Sequence, residues 1–311
     1  MEKSDKIYIA GHRGMVGSAI LRRLEKEGYT NLLLRTSDEL DLRNQNQVQG
    51  FMEEERPTYV FLAAAQVGGI GANDKYRAEF FYNNLMIEVN VIHASYLANV
   101  KKLMFLGSSC IYPKMADQPL KEEYILTGVL ESTNEAYAIA KIAGLKMCQY
   151  YRHQYKCNFI SVMPTNLFGY NDNYDLEKAH VLPALLSKFH TAKIENKSSV
   201  VVWGTGAAKR EFLHSDDLAD AVLFLMQHYD DPGLINIGTG KDISIMELAN
   251  LIKDIVGFKG EIEFDSTKPD GTPRKLLNVD KIGRMGWQSK IELRKGIIEV
   301  YSEVQNMKVL A

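Results

Sequence analysis

Ile7-Tyr-Ile-Ala-Gly11-His-Arg-Gly14-Met15-Val16-Gly17-Ser-Ala-Ile-Leu-Arg-Arg-Leu-Glu-Lys-Glu27 decides the fold class. The first four residues are a short apolar strand, and Ser18 to Glu27 has the spacing of an amphipathic helix that stops at Gly28. Three glycines at Gly11, Gly14 and Gly17 lie between them. That spacing allows a tight turn, lets a pyrophosphate approach the backbone, and aims a helix amino terminus at it. A plain strand-to-helix turn would need none of the three, so the stretch reads as a dinucleotide-binding loop.

The next strand bears on which dinucleotide. Asn31-Leu-Leu-Leu34 is the expected second strand, and an NAD site usually ends it with a carboxylate for the ribose hydroxyls. This chain has Arg35 there, and Arg13 lies within the glycine loop. Two guanidiniums suit a 2′-phosphate, which points to NADP(H), the alternative being that both are solvated surface charges. Asp41-Leu42 is expected beside the adenine.

Strands then alternate with helical stretches, as a doubly wound parallel sheet requires. Tyr59–Leu62 reads as a fourth strand, Lys102–Leu106 as a fifth and Phe159–Met163 as a sixth, with helices over about 45–55, 79–99 and 134–155. The ligand crevice forms at the carboxyl ends of such strands, so Ala63-Ala-Ala65, Gly107-Ser-Ser109 and Pro164-Thr-Asn166-Leu167 are its expected walls. After residue 167 the pattern weakens. The expected architecture is α/β: a Rossmann-type domain over 1–167, with a returning segment near 213–238, and a smaller α/β substrate domain over 168–311. Within the latter, 216–229 reads as a helix capped by Ser215 or Asp216, and Leu234–Ile237 as a strand rejoining the main sheet. Asp216-Asp217 fits capping better than metal ligation, and no metal site is expected.

Tyr137-Ala-Ile-Ala-Lys141 carries the chemistry. Residues four apart share a helical face, so phenol and ammonium project side by side. A free phenol has a pKa of about 10, and a neighbouring ammonium is expected to lower it. Tyr137 could then protonate a carbonyl oxygen as hydride reaches the carbon, while Ser108 or Ser109 holds that oxygen. The same pair is common on helix surfaces, and its weight comes from the glycine loop and the serines that precede it.

Composition excludes several classes. A chain of 311 residues, 46% hydrophobic and 24% charged, can bury a substantial core. A net charge of -2 makes no case for nucleic acid or an anionic membrane. No stretch reads as a signal peptide or membrane span. Cys110, Cys148 and Cys157 are odd in number and lack zinc spacing, which makes a reducing cytoplasm the expected compartment.

Eight blocks together resemble the GDP-L-fucose synthase group of the extended short-chain dehydrogenase/reductases, over nearly the whole chain. They are Gly11–Gly17, Gln66-Val-Gly-Gly-Ile70, Asn84-Leu-Met-Ile87, Gly107-Ser-Ser-Cys-Ile-Tyr-Pro113, Pro164-Thr-Asn-Leu-Phe-Gly169, His180-Val-Leu-Pro183, Arg210-Glu-Phe-Leu-His214 and Lys268-Pro-Asp-Gly-Thr-Pro-Arg274. The resemblance implies 3,5-epimerisation and NADPH-dependent 4-reduction of GDP-4-keto-6-deoxy-D-mannose. A C4 carbonyl acidifies the protons on C3 and C5, so one acid/base pair astride the ring can remove and return them.

By family position Cys110 is the expected base and His180 the acid, with ordinary pKa values of about 8.5 and 6.5 that bracket neutrality. Lys188, Trp203, Arg210 and Lys275 are the implied contacts of the nucleotide diphosphate and guanosine. Lys188 departs from the arginine more usual there, keeping the charge but losing the bidentate fork. Pro113 to Asn134 is expected to cover the site as a loop. The resemblance also implies a homodimer through helices near 84–99 and 136–155. The same chemistry on a GDP-4-keto-6-deoxy-heptose is the alternative. A non-catalytic dinucleotide-binding protein is a third reading, and it would tolerate loss of Ser108, Cys110, Tyr137, Lys141 or His180.

Overall fold

The computed structural model describes residues 1–306. The apolar run Ile7–Ala10 is strand β1, and the glycine loop delivers it into helix α1 (Met15–Lys26), which ends where Gly28 adopts a left-handed φ of 82°. Then come β2 (Leu32–Leu33), α2 (Gln45–Glu55), β3 (Tyr59–Leu62), α3 (Ile70–Lys75), α4 (Arg77–Leu97), β4 (Lys102–Leu106), α5 (Glu135–Tyr155) and β5 (Phe159–Pro164). The carboxy-terminal part contains β6 (Asn166–Phe168), α6 (Val181–Ile194), β7 (Ser199–Trp203), β8 (Lys209–His214) and α7 (Ser215–His228). It continues through β9 (Ile235–Ile237), β10 (Asp242–Ser244), α8 (Ile245–Val256), β11 (Glu261–Asp265), β12 (Arg274–Lys275), α9 (Asp280–Arg284) and α10 (Leu293–Asn306).

Six strands form one parallel sheet in the order β2-β1-β3-β4-β5-β9. Apart from the half-buried edge strand β2, its strands are buried along their whole length and mostly apolar, as a sheet covered by helices on either side must be. Residues of α1 and α7 pack on one face and those of α2, α4 and α5 on the other. The strand order reverses between β1 and β3, so the crevice of a doubly wound sheet opens at their carboxyl ends. A third core, built from β7, β8, α6, α8 and α10, belongs to the smaller carboxy-terminal lobe. Ser244 and Glu247 form a reciprocal cap at the start of α8.

The expected α/β doubly wound class holds, with two differences of detail. Tyr59–Leu62 is the third strand, not the fourth, because 36–43 forms turns: Glu39 accepts from the Thr36 amide and hydroxyl, and Asp41 accepts from Arg43. These side-chain bonds compete with a strand ladder. Helix α7 begins at Ser215, and its cap is His214, whose Nδ1 accepts from the Asp216 amide at 3.2 Å, rather than Ser215 or Asp216. Asp216 pairs with Arg22, and Asp217 accepts from the amides of Lys290 and Ile291, so both acids are engaged locally. Leu234–Ile237 does return to the main sheet, as β9 beside β5.

Candidate active site

The glycine loop is a cradle that side chains would fill. Gly11 has φ 87°, and a Cβ there would lie 2.8 Å from the Ala64 backbone in the loop after β3. A Cβ on Gly17 would lie 2.0 Å from the Gly11 carbonyl oxygen. Helix α1 has Gly14 as its cap, with no side chain bonded to it and no acid in its first turn. The amides about Met15, Val16 and Gly17 therefore face the loop without a capping oxygen, which is the arrangement that takes a phosphate. A dinucleotide pyrophosphate fits these residues, with Ala63 and Ala65 after β3 and Pro164, Asn166 and Leu167 at and beyond the end of β5 along the same carboxyl edge of the sheet.

The two arginines differ. Arg13 is exposed in the loop, whereas Arg35 donates to Glu55 at 2.8 Å and to the Leu34 carbonyl at 2.9 Å, and lies 5.3 Å over the Phe51 ring. Glu55 also takes Lys6, so Arg35 shares its partner. Asp41 is gripped by Arg43, which holds its carboxyl below the usual range, and the Leu42 carbonyl accepts from Asn90.

At the end of β4, Ser108 brings phenol and thiol together. Its hydroxyl accepts from the Cys110 amide at 3.4 Å, and the side chain favours the ionised form of both the Tyr137 phenol and the Cys110 thiol. Helix α5 presents Tyr137 and Lys141 one turn apart, as their spacing predicts. The expected lowering of the phenol is not found. Burial pushes Tyr137 well above its ordinary value, and the nearby Cys110 and Glu88 add to that. The Lys141 ammonium, 5.7 Å from the Tyr137 ring centroid, is paired with Glu88 at 3.0 Å and donates to the Leu106 carbonyl at 3.1 Å.

Cys110 is buried, and burial raises its thiol while the Lys275 ammonium and the Ser108 hydroxyl pull it down. His180 occupies the N-cap position of α6 without a side-chain capping bond, its side chain is exposed, and the surrounding protein and Lys275 push its imidazole below the ordinary value. The two groups therefore still bracket neutrality, more widely than their ordinary values do. Burial moves thiol and imidazole apart, and the resting pair is a neutral thiol and a neutral imidazole. Pro113, Gln118, Glu131 and Asn134 of the 113–134 segment line a small cavity together with Cys110 and Lys275, so that segment does cover the thiol.

The four expected nucleotide contacts lie in the smaller lobe. Lys275 of β12 is in register with Arg210 of β8, which places two cations side by side. Arg210 is buried and donates to the Lys209 and Asp270 carbonyls; burial lowers its pKa. Asp270 also accepts from Thr205, two residues beyond Trp203, and so joins that loop to Arg210. Trp203 is 50% exposed, and the Lys188 ammonium lies 5.6 Å from its ring while donating to the Val201 carbonyl. The lobe thus offers cations beside an open aromatic face.

Two buried acids were not expected. Glu211 accepts from the amides of Thr239, Gly240 and Leu277, and so anchors the chain just past Lys275. Glu88 stands on α4, one turn beyond Asn84 and on the same face, and both are fully buried. An acid at helical spacing from a buried amide within an apolar stretch was the available signal.

Comparison with known proteins agrees with this geometry. The model of the family described as "NAD dependent epimerase/dehydratase family" matches residues 7–238. A protein of Arabidopsis thaliana named putative GDP-L-fucose synthase 2 is 58% identical over 301 residues, 97% of this chain and 92% of that one. The GDP-L-fucose synthase of Escherichia coli is 52% identical, covering 95% of each. The solved structure of a GDP-mannoheptose C4 reductase from Campylobacter jejuni with NADP bound superposes with a TM-score of 0.90 at 47% identity, over 98% of this chain and 99% of that one. With the sheet order, the glycine cradle and the Ser108–Tyr137–Lys141 group, these matches show that the chain belongs to the NAD dependent epimerase/dehydratase family, among the extended short-chain dehydrogenase/reductases.

Proposed function

We propose that this protein converts GDP-4-keto-6-deoxy-D-mannose to GDP-L-fucose by 3,5-epimerisation and 4-reduction. The observation that carries the reading is Ser108, which stands beside both the Tyr137 phenol and the Cys110 thiol and favours the ionised form of each, so that a carbonyl oxygen held there lies within reach of both chemistries. The activity named for the relatives supports the sugar.

NADPH supplies the hydride when bound. Gly11, Gly14 and Gly17 would hold its pyrophosphate, and Arg13 and Arg35 its 2′-phosphate; NADP in the Campylobacter reductase supports this choice. Cys110 removes the proton from C3 or C5, and His180 returns one to the opposite face. Ser108 and Tyr137 hydrogen-bond O4 while charge gathers on it as an enolate, and Tyr137 later delivers its proton to that oxygen. Lys188, Trp203, Arg210 and Lys275 hold the GDP. Residues 1–167 with the returning 213–238 segment form the cofactor half, and the remainder the sugar half. Free Cys110, Cys148 and Cys157 suit a reducing cytoplasm.

The likeness to a heptose reductase supports a second reading, the same steps on a GDP-4-keto-6-deoxy-heptose. Purified protein with NADPH and each GDP-4-keto sugar separates them by the fall in reduced-nicotinamide absorbance. Turnover of the hexose, with product NMR matching GDP-L-fucose, is the expected result. Consumption of the heptose alone overturns the first reading in favour of the second.

A further inference from the structure

Glu88 is fully buried on α4, and its partner Lys141 on α5 is 2% exposed. Their charged atoms lie 3.0 Å apart. The structure makes room for this pair at some cost in side-chain volume. Gly144 follows Lys141 by one turn, and a Cβ on it would lie 2.5 Å from the Glu88 carboxylate and 2.7 Å from the Phe105 ring. Only a residue without a side chain lets α4 and α5 approach closely enough there for the carboxylate to reach the ammonium. On the far side the ammonium donates to the Leu106 carbonyl, directly before Gly107 and Ser108, and the Phe105 ring centroid is 4.9 Å away. Lys141 is thus fixed from three directions, by α4, by the end of β4 and by an aromatic wall.

We propose that Glu88 is the positioning residue of the reductive half of the site, holding the Lys141 ammonium at the end of β4 in register with Tyr137 and Ser108. The inference rests on the proposed reductase reading. A carboxylate in this place does two things that an apolar residue could not. It neutralises a cation that would otherwise be buried alone, and it fixes where that cation sits. The groups facing the pair are Tyr137 from α5, Cys110 from the turn after β4, and Cys148 further along α5; the Glu88 charge disfavours ionisation of both Tyr137 and Cys148. Without that charge the phenol loses its proton at lower pH, which works against a step that needs the phenol protonated.

Three measurements test this. In ligand-free protein, Glu88→Gln and Lys141→Met should each lower the melting temperature. The double variant should melt no lower than the worse single, because removing both charges leaves none uncompensated. In the full reaction, Glu88→Gln should lower kcat of hydride transfer about tenfold with the KM of the sugar unchanged, and its alkaline decline should begin at lower pH than in the wild type. Exchange of the C3 and C5 protons with deuterated solvent should continue and fall much less than hydride transfer, because Ser108 still holds O4, which separates failure of this inference from failure of the functional reading. Should Glu88→Gln not fold, Glu88→Asp keeps the charge and withdraws it by one methylene; a reduced kcat with the wild-type alkaline limb is then expected. Additive melting losses, or a wild-type kcat and pH profile in the folded variant, would overturn the proposal.

Discussion

The amide of Gly69 donates to the carbonyl of Lys178 at 2.8 Å, and this bond ties the loop after β3 to the segment that ends at His180. The loop is itself held by two buried amides. Asn84 accepts from the Gln66 amide and donates to its carbonyl, and Asn73 donates to the carbonyls of Gly68 and Gly69. A Cβ on Gly69 would lie 2.4 Å from the Ala179 carbonyl oxygen. Gly69→Ala should therefore destabilise by about 1–3 kcal/mol and displace His180. The expected readout is slower C3 and C5 proton exchange at full NADPH affinity; unchanged exchange would show that the loop does not set the histidine.

Damage to each half of the site should leave different products. Cys110→Ser should suppress entry of solvent deuterium at C3 and C5 with fold and NADPH binding intact. Tyr137→Phe should admit deuterium but slow hydride transfer by a factor of about 10² or more. NMR of the sugar after incubation in deuterated buffer, with and without NADPH, distinguishes them. Wild-type exchange in Cys110→Ser would remove the thiol from the mechanism.

The same exchange should have a particular pH profile. The reactive form pairs a thiolate with an imidazolium, while burial raises Cys110 and the surroundings lower His180. Between the two pKa values the thiolate fraction rises tenfold per pH unit as the imidazolium fraction falls tenfold, so their product is constant. The exchange rate should be flat across neutrality, falling below the histidine value and above the thiol value. A narrow maximum at neutrality would mean that the two values lie close together, against the directions in which the surroundings move them.

Cofactor selection should fall unequally on the two arginines. Arg13 is exposed in the loop, and Arg35 already shares Glu55 and the Leu34 carbonyl. Arg13→Ala should weaken NADPH by about 10- to 100-fold and leave NADH little changed, with Arg35→Ala having the smaller effect. Titration of nicotinamide fluorescence gives both constants. Equal loss for NADPH and NADH would place neither at the 2′-phosphate.

Helices α4 and α5 pack on each other and still present Tyr82, Val89, Leu97, Ile139 and Tyr150 to solvent. Covering these exposed apolar side chains with a second copy is expected, at twice the 35.2 kDa of one chain by light scattering. Val89→Asp with Tyr150→Glu should halve that mass. A wild-type monomer at micromolar concentration would count against the dimer.

Stability should carry the signature of Asp172, whose carboxyl is pushed up to about 7, burial being the main cause and Glu303 a further one. The unfolded value lies near 3.9, so the folded protein binds the extra proton between the two. Stability is full below pH 4 and falls as pH rises through 7, by about 2–4 kcal/mol. Asp172→Asn should flatten that part of the curve of melting temperature against pH. An unchanged slope would mean that the carboxyl is not buried as described.

Sequence alone determined what depends on local geometry. Glycines three apart between an apolar strand and an amphipathic helix specify the cradle, because only that spacing closes the turn without a Cβ. Tyr137 and Lys141 had to share a face because the helical period is 3.6 residues. The alternation of apolar runs and helices was enough for the sheet, although the turns at 36–43 hid the strand count. The tertiary structure decided the electrostatics. Lys275 reaches Cys110 and His180, and Glu88 claims Lys141, only because separate elements are folded against one another. A pKa depends on burial and on charges within a few ångströms, and neither is a property of neighbours in the chain. For that reason the identities of the thiol, imidazole and phenol were legible early, and the directions in which burial moves them were not.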